Sequence, residues 1–209
     1  MIPHEFKFGD KPWPDGEGTL QIYAPVDLAA NPELARLVAK ARTAMEGAPV
    51  AFVGDNELHI TIDMLSGVHA DQVSPGERRK IAETLQEALA GTPVYRGTAG
   101  SPLVYVTGPI LDVSPAAALD AVQKTTRSVL FDLYGEAGCT FHQSKAHITI
   151  AYCHTPTDPT PWMRKVRKID PAHAPLTIDS VELVDVRPDN TTKALPWSPV
   201  APPIRFADA

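Results

Sequence analysis

Two stretches of the chain carry the same four residues, His-Ile-Thr-Ile, at 59–62 in ELHITIDML and at 147–150 in KAHITIAYC. Side chains at i and i+2 of a strand point to the same face. Read as strands, the stretches put an imidazole and a hydroxyl on one side, His59 with Thr61 and His147 with Thr149. The β-branched isoleucines pack on the other side. Imidazole titrates near neutrality, so two of them across a cleft can divide acid–base work. One takes a proton from an attacking hydroxyl or water, and the other gives one to a leaving oxygen. The threonine hydroxyls are compact donors for non-bridging phosphate oxygens and can offset charge that builds there. A phosphate dianion held nearby raises the pKa of both rings. The chemistry suggested is transfer at phosphorus, with no metal and no other cofactor required.

A single His-x-Thr triplet is far more often an ordinary strand, and the triplet HQS at 142–144 is a reminder of how common the pattern is. What separates the pair is the identical core, the strand-like setting of both copies and their placement in the chain. His142 lies an odd number of residues before His147, which turns it to the opposite face of a regular strand. It reads as peripheral.

The elements that must position the pair are legible around it. TLQIYAPV at 19–26 alternates Leu20, Ile22 and Ala24 against Thr19, Gln21 and Tyr23, as a strand does. A helix follows from Asn31 as N-cap and Pro32 at its first position. After the first HITI strand, Ser74 and Glu77 stand at capping-box distance ahead of a stripe of Ile81, Leu85 and Leu89. TPVYRGTA and PLVYVTGPI (102–110) predict two further strands. A long helix opens at Ser114–Pro115 and stops near Gly135, and the second HITI strand comes next. A short helix led by Thr160–Pro161 and strands in PLTIDSVELVDVRPD and ALPWSPVAPPIRF close the chain. Strand, helix, HITI strand, helix thus occurs twice. The offset predicts one domain over 1–209 with duplicated lobes at about 19–98 and 102–186 and a C-terminal strand at 194–206. The class is α+β.

Composition narrows the partners. A formal net charge of −6 and a pI near 5.6 argue against the broad basic surface that long nucleic acid requires, and DNA is not expected as a partner. No apolar run approaches the ~20 residues of a membrane span, and the first residues lack a signal peptide, so a cytoplasmic monomer is expected. The only two cysteines, Cys139 and Cys153, bracket what reads as an extended strand and are expected to be free thiols.

Two His-x-Thr-hydrophobic motifs about ninety residues apart in a duplicated chain resemble the 2H phosphoesterase superfamily. Within it the likeness is to the bacterial proteins called 2′-5′ RNA ligases or RNA 2′,3′-cyclic phosphodiesterases. The likeness covers nearly the whole chain in layout and about eight positions in detail. It implies a bilobal fold, with antiparallel sheets around a central cleft and helices outside. It also implies metal-independent opening of 2′,3′-cyclic phosphates, on an RNA end or a small nucleotide, to 2′-phosphates. The catalytic roles fall on His59, Thr61, His147 and Thr149. A tyrosine three residues after the second hydroxyl contacts substrate in some relatives, and Tyr152 stands at that position here. Strict alternation turns Tyr152 to the Ile148 face, so that role requires a bend, and core packing is the competing reading.

Other candidates weigh less. Lys145 and Asp63 share strand faces with His147 and His59 by alternation. The basic runs at 77–80 and 163–168 can guide an RNA end or simply be solvated helix faces. His4, His69, His154 and His173 sit in loops or near proline without metal-ligand spacing. Two other readings remain: a non-catalytic module that binds phosphorylated RNA ends or nucleotides, and the same machinery turned on another small cyclic phosphate.

Overall fold

In the computed structural model, which describes residues 1–8, 11–142 and 145–207, the two HITI segments are end strands of two separate antiparallel sheets. The chain begins with the short β1 (Lys7–Phe8) and β2 (Lys11–Pro12), then runs through β3 (Thr19–Pro25), α1 (Pro32–Ala44) and β4 (Val50–Phe52). The first HITI strand is β5 (His59–His69), followed by α2 (Pro75–Ala88), β6 (Tyr95–Val104), β7 (Pro109–Ser114) and α3 (Ala117–Tyr134). The second HITI segment forms β8 (His147–Thr149) and β9 (Ala151–Cys153). Then come α4 (Thr160–Val166), β10 (His173–Ile178), β11 (Ser180–Val186), β12 (Trp197–Pro199) and β13 (Ile204–Arg205).

One sheet has the order β12-β11-β3-β5, with β13 also paired to β11, and the other has the order β10-β6-β7-β8. Each HITI strand is an end strand, beside the strand that precedes its helix. The units β3–α1–β5 and β7–α3–β8 therefore correspond. The α+β class with antiparallel sheets and outer helices, expected from the sequence, is the fold of the protein.

Two details differ from the sequence reading. Residues 102–110 are not one strand but the tip of the β6–β7 hairpin, closed by the Tyr105 N–H donating to the Gly108 carbonyl at 2.9 Å. Gly108 has φ 155°, and a Cβ there would lie 2.0 Å from the Ala151 carbonyl oxygen. Only glycine lets β9 come that close. The sheets are also interleaved along the chain: β11 pairs with β3, whereas β10 pairs with β6, which pairs with β7. Sheet order is a property of long-range pairing, which local periodicity does not carry.

The helices bury the apolar stripes that their spacing marks. α1 buries Leu34, Leu37, Val38 and Ala41, and α2 buries Ile81 and Leu85. Each full burial of a leucine or isoleucine contributes roughly 1.5–3 kcal/mol. The capping box at Ser74 is present, with Ser74 N–H donating to Glu77 at 2.8 Å and Glu77 N–H donating to Ser74 Oγ at 3.3 Å. Asn31 precedes α1 but does not cap it. Its amide nitrogen donates to the carbonyls of Asp27 and Thr177, and its Oδ1 accepts from Thr177 N–H at 2.8 Å, which pins α1 to β10. α3 begins at Ala117, so Ser114 remains in β7, and Gly135 at φ 68° ends the helix. Both cysteines are free. No helix of the described residues is long and apolar enough to cross a membrane.

Because Asn31 closes a long-range contact and Ser74 only a local one, Asn31→Ala should cost about 1–3 kcal/mol through unpaired backbone groups. Ser74→Ala should cost about 1 kcal/mol. Urea unfolding of the two variants measures the difference.

Candidate active site

The two strands bring their motifs to one cavity of about 250 Å³, lined by His59, Thr61, His147, Thr149 and Tyr152 together with residues of the N-terminal segment and β3. All five residues singled out from the sequence meet there.

Both histidines are held in the same way. His59 Nδ1 lies 2.6 Å from the Glu57 carbonyl oxygen, and His147 Nδ1 lies 2.8 Å from that of Lys145. A carbonyl only accepts, so each Nδ1 carries the proton and each Nε2 carries the ring's lone pair. Each ring is the first residue of its strand, where the chain bends enough for the residue two before to turn its carbonyl back.

The surroundings of the two rings differ. His59 is buried, and burial pulls its pKa from the ordinary 6.5 down to about 4. The hydrogen bond to Glu57 opposes that shift, and nearby His147 adds to it. His147 is half-buried.

Within a few residues after each threonine the strand is bulged. Tyr23 pairs with Thr61 but Ile22 with Asp63, so two residues of β5 face one of β3. On the other side, Ile150 N–H donates to Pro109 and Cys153 N–H to Thr107, three steps against two. The extra residue reverses alternation. Met64 and Tyr152, each three positions after its threonine, turn into the cavity. This is the bend that Tyr152 requires. Its hydroxyl is hydrogen-bonded to Thr149, and burial pushes its pKa up to about 12.

The same bulge takes Asp63 off the His59 face, where alternation had placed it. Asp63 is fully buried and receives Arg127 Nε at 2.7 Å. Arg127 also donates to the carbonyls of Cys139 and Phe141, tying α3 and β5 to the chain that leads to the second motif.

Several sequence candidates do not line the cavity. Lys145 pairs with Asp112 at 2.9 Å, and only its carbonyl serves the site. Arg78 of the first basic run donates to Val73 and Ala70, and neither basic run lines the cavity. His142 is exposed and outside it, and the other two residues of the HQS triplet lie outside the described residues.

Other residues escaped the sequence reading. His4, set aside as a loop residue, lines the cavity 4.6 Å from the Tyr152 ring, and burial pulls its pKa to about 4. Tyr23 also lines it, and the sequence signal was there: Gln21 and Tyr23 share the polar-aromatic face of a strand that is apolar on its other side. Trp197, in a proline-rich stretch, packs edge-on against His59. Among the described residues no group of three or more His, Cys, Asp or Glu side chains is placed to hold a metal ion.

The chain matches no protein-family model and no curated protein. Solved structures do resemble it. TT0787 of Thermus thermophilus has a TM-score of 0.64 at 14% identity, over 90% of this chain and 98% of that one. E. coli LigT complexed with 3′-AMP has a TM-score of 0.57 at 14% identity, over 91% and 98%. LigT has also been solved with phosphate, with NADP+ and with ATP. The MHV ns2 PDE domain has a TM-score of 0.51 at 17% identity, over 80% and 98%. The chain has the fold of these proteins.

Two measurements follow from the buried groups. Arg127→Ala strands the Asp63 carboxylate and should cost about 3–5 kcal/mol in urea unfolding. The folded state keeps His59 neutral, whereas the unfolded chain binds a proton below about 6.5. Its contribution is therefore complete above about pH 6.5 and is lost as pH falls toward 4, by up to roughly 3 kcal/mol. Unfolding curves at intermediate pH should show this loss, and His59→Gln should lessen it.

Proposed function

We propose that the protein is a metal-independent phosphodiesterase that opens a 2′,3′-cyclic phosphate, on a small nucleotide or an RNA end, to a 2′-phosphate. The observation that carries this reading is one cavity receiving two histidines of the same tautomer, each with a threonine beside it, from two different sheets.

In this reading, water attacks phosphorus in line with the bond to the ribose 3′ oxygen. One Nε2 accepts the proton of the attacking water as the new P–O bond forms. The other imidazole, protonated, gives its proton to the departing 3′ oxygen as that bond breaks. Proton exchange with solvent then restores both rings. Thr61 and Thr149 hold the non-bridging oxygens, and Tyr152 contacts the substrate. Joining ends through a 2′-5′ linkage is the same transfer with a ribose 5′ hydroxyl attacking phosphorus in place of water and the 3′ oxygen again departing. The cavity volume suits one nucleotide, Lys7 is the lysine that lines it, and the nucleotide complexes of LigT fit the same substrate class.

The test is turnover of 2′,3′-cyclic nucleotides and of a short RNA with a cyclic phosphate end, in EDTA, read by phosphorus NMR. The expected product is the 2′-phosphate, with a bell-shaped pH profile. His59→Ala and His147→Ala should each lower kcat/KM by about 10²–10⁴-fold. Full loss in EDTA, or turnover indifferent to both substitutions, would overturn the mechanism. Tight binding of these ligands without turnover would mark a binding module instead.

A further inference from the structure

Aromatic rings frame the His59 imidazole in a particular way. The Tyr23 ring lies flat against His59, with centroids 3.7 Å apart and planes 8° from parallel. Trp197 meets the same imidazole edge-on, at 6.3 Å and 83°, and meets Tyr23 edge-on at 5.7 Å. Trp197 Nε1–H donates to the Glu57 carbonyl oxygen at 3.2 Å, the acceptor that also holds His59 Nδ1. One oxygen therefore ties the tryptophan to the histidine while the tyrosine covers a ring face. In the other sheet the register sets Ile110 opposite Thr149, where Tyr23 stands opposite Thr61. The duplicated frame has an aliphatic side chain in the place of the stacking ring.

We propose that Tyr23 and Trp197 are positioning residues that lock the His59 imidazole as the Nδ1–H tautomer with Nε2 toward the cavity, making His59 the proton acceptor of the pair. This rests on the phosphodiesterase reading for the acceptor role, though not for the lock itself. A turn of the ring about Cβ–Cγ would break the bond to Glu57 and drive its edge into Tyr23 or Trp197. A ring so held presents a lone pair without reorganising, which is where positioning lowers a barrier. Burial behind Tyr23 favours the neutral form, the form that accepts. As water bonds to phosphorus its proton moves to Nε2, and the charge is shared through Nδ1–H with the Glu57 carbonyl. His147 supplies the proton that leaves with the 3′ oxygen. The ionisable groups around His59 are Tyr23 from β3, His147 and Tyr152 from the second motif, and His4, Glu5 and Lys7 from the N-terminal segment. Glu57 and Lys193 line the adjoining cavity that His59 shares.

The test uses Tyr23→Leu, Tyr23→Phe and Trp197→Phe. Long-range proton–nitrogen NMR of the imidazoles reads the tautomer, and kcat and KM are measured on a 2′,3′-cyclic nucleotide across pH. The wild-type spectrum should show His59 as one Nδ1–H tautomer. Tyr23→Leu should mix the tautomers, lower kcat by about 10- to 100-fold with KM little changed, and shift the acidic limb of the profile. Tyr23→Phe, which keeps the ring, should restore both. Trp197→Phe should mix the tautomers with a smaller fall in kcat, and it decides the matter if Tyr23→Leu does not fold. A single tautomer and unchanged kcat in Tyr23→Leu or Trp197→Phe would overturn the proposal. So would a Tyr23→Phe as impaired as Tyr23→Leu, since the hydroxyl would then be the working group. Absence of turnover on every cyclic phosphate overturns the functional reading, and the tautomer spectra still decide the lock.

Discussion

The hydrogen bond from each histidine Nδ1 to the carbonyl two residues earlier is the constraint on which the site depends. It fixes which nitrogen holds the proton and therefore which nitrogen can do chemistry. It also requires the histidine to open its strand, because a residue two positions back within a regular strand directs its carbonyl along the ladder to a neighbour. Both motifs meet that requirement: a short 3₁₀ turn over Asp55–Glu57 precedes His59, and Lys145 lies outside the strand that His147 begins. The isoleucines that follow are buried and supply the packing that holds the arrangement in place.

A second constraint acts just downstream. Each strand has to place a histidine and a threonine two apart on one face and a third side chain three further on. No regular strand does so, because its period is two. The bulge after each threonine resolves this by leaving one residue without a partner. The residue displaced in β5, Asp63, does not become an unpaired charge, because Arg127 of α3 reaches it and the loop ahead of the second motif. One ion pair thus joins the first motif to the approach of the second.

Much of this was legible in the chain. The strand nature of both motifs, the shared face of histidine and threonine, the ends of α2 and the start of α4 all rest on local spacing. Tyr152 and Asp63 were the telling exceptions. Alternation placed Tyr152 away from the cavity and Asp63 in it; the bulges turn Tyr152, still part of the core, to line the cavity and bury Asp63 against Arg127, since a bulge is decided by the partner strand. Asn31 carried a cap signature yet serves β10, a contact 146 residues away in sequence. Tyr23, Trp197 and His4 come from three remote parts of the chain. Only the sheet order, with β3 and β12 flanking β11, brings Tyr23 and Trp197 to one imidazole.

The interleaved sheets bear on how the molecule is made. β3 lies between β5 and β11, and β11 is built from residues 180–186, far downstream of both. Until it emerges, the strand carrying His59 has a partner whose other edge is open. β10 and β11 are separated only by Asp179, yet they belong to different sheets. A growing chain therefore cannot finish one half and then the other. Pairing between distant segments has to wait for the intervening loop to close, which makes such topologies slow to form. Neither sheet is complete until residues 173–186 are made, and a chain stopped short of β11 would carry both motifs without the architecture that faces them to each other.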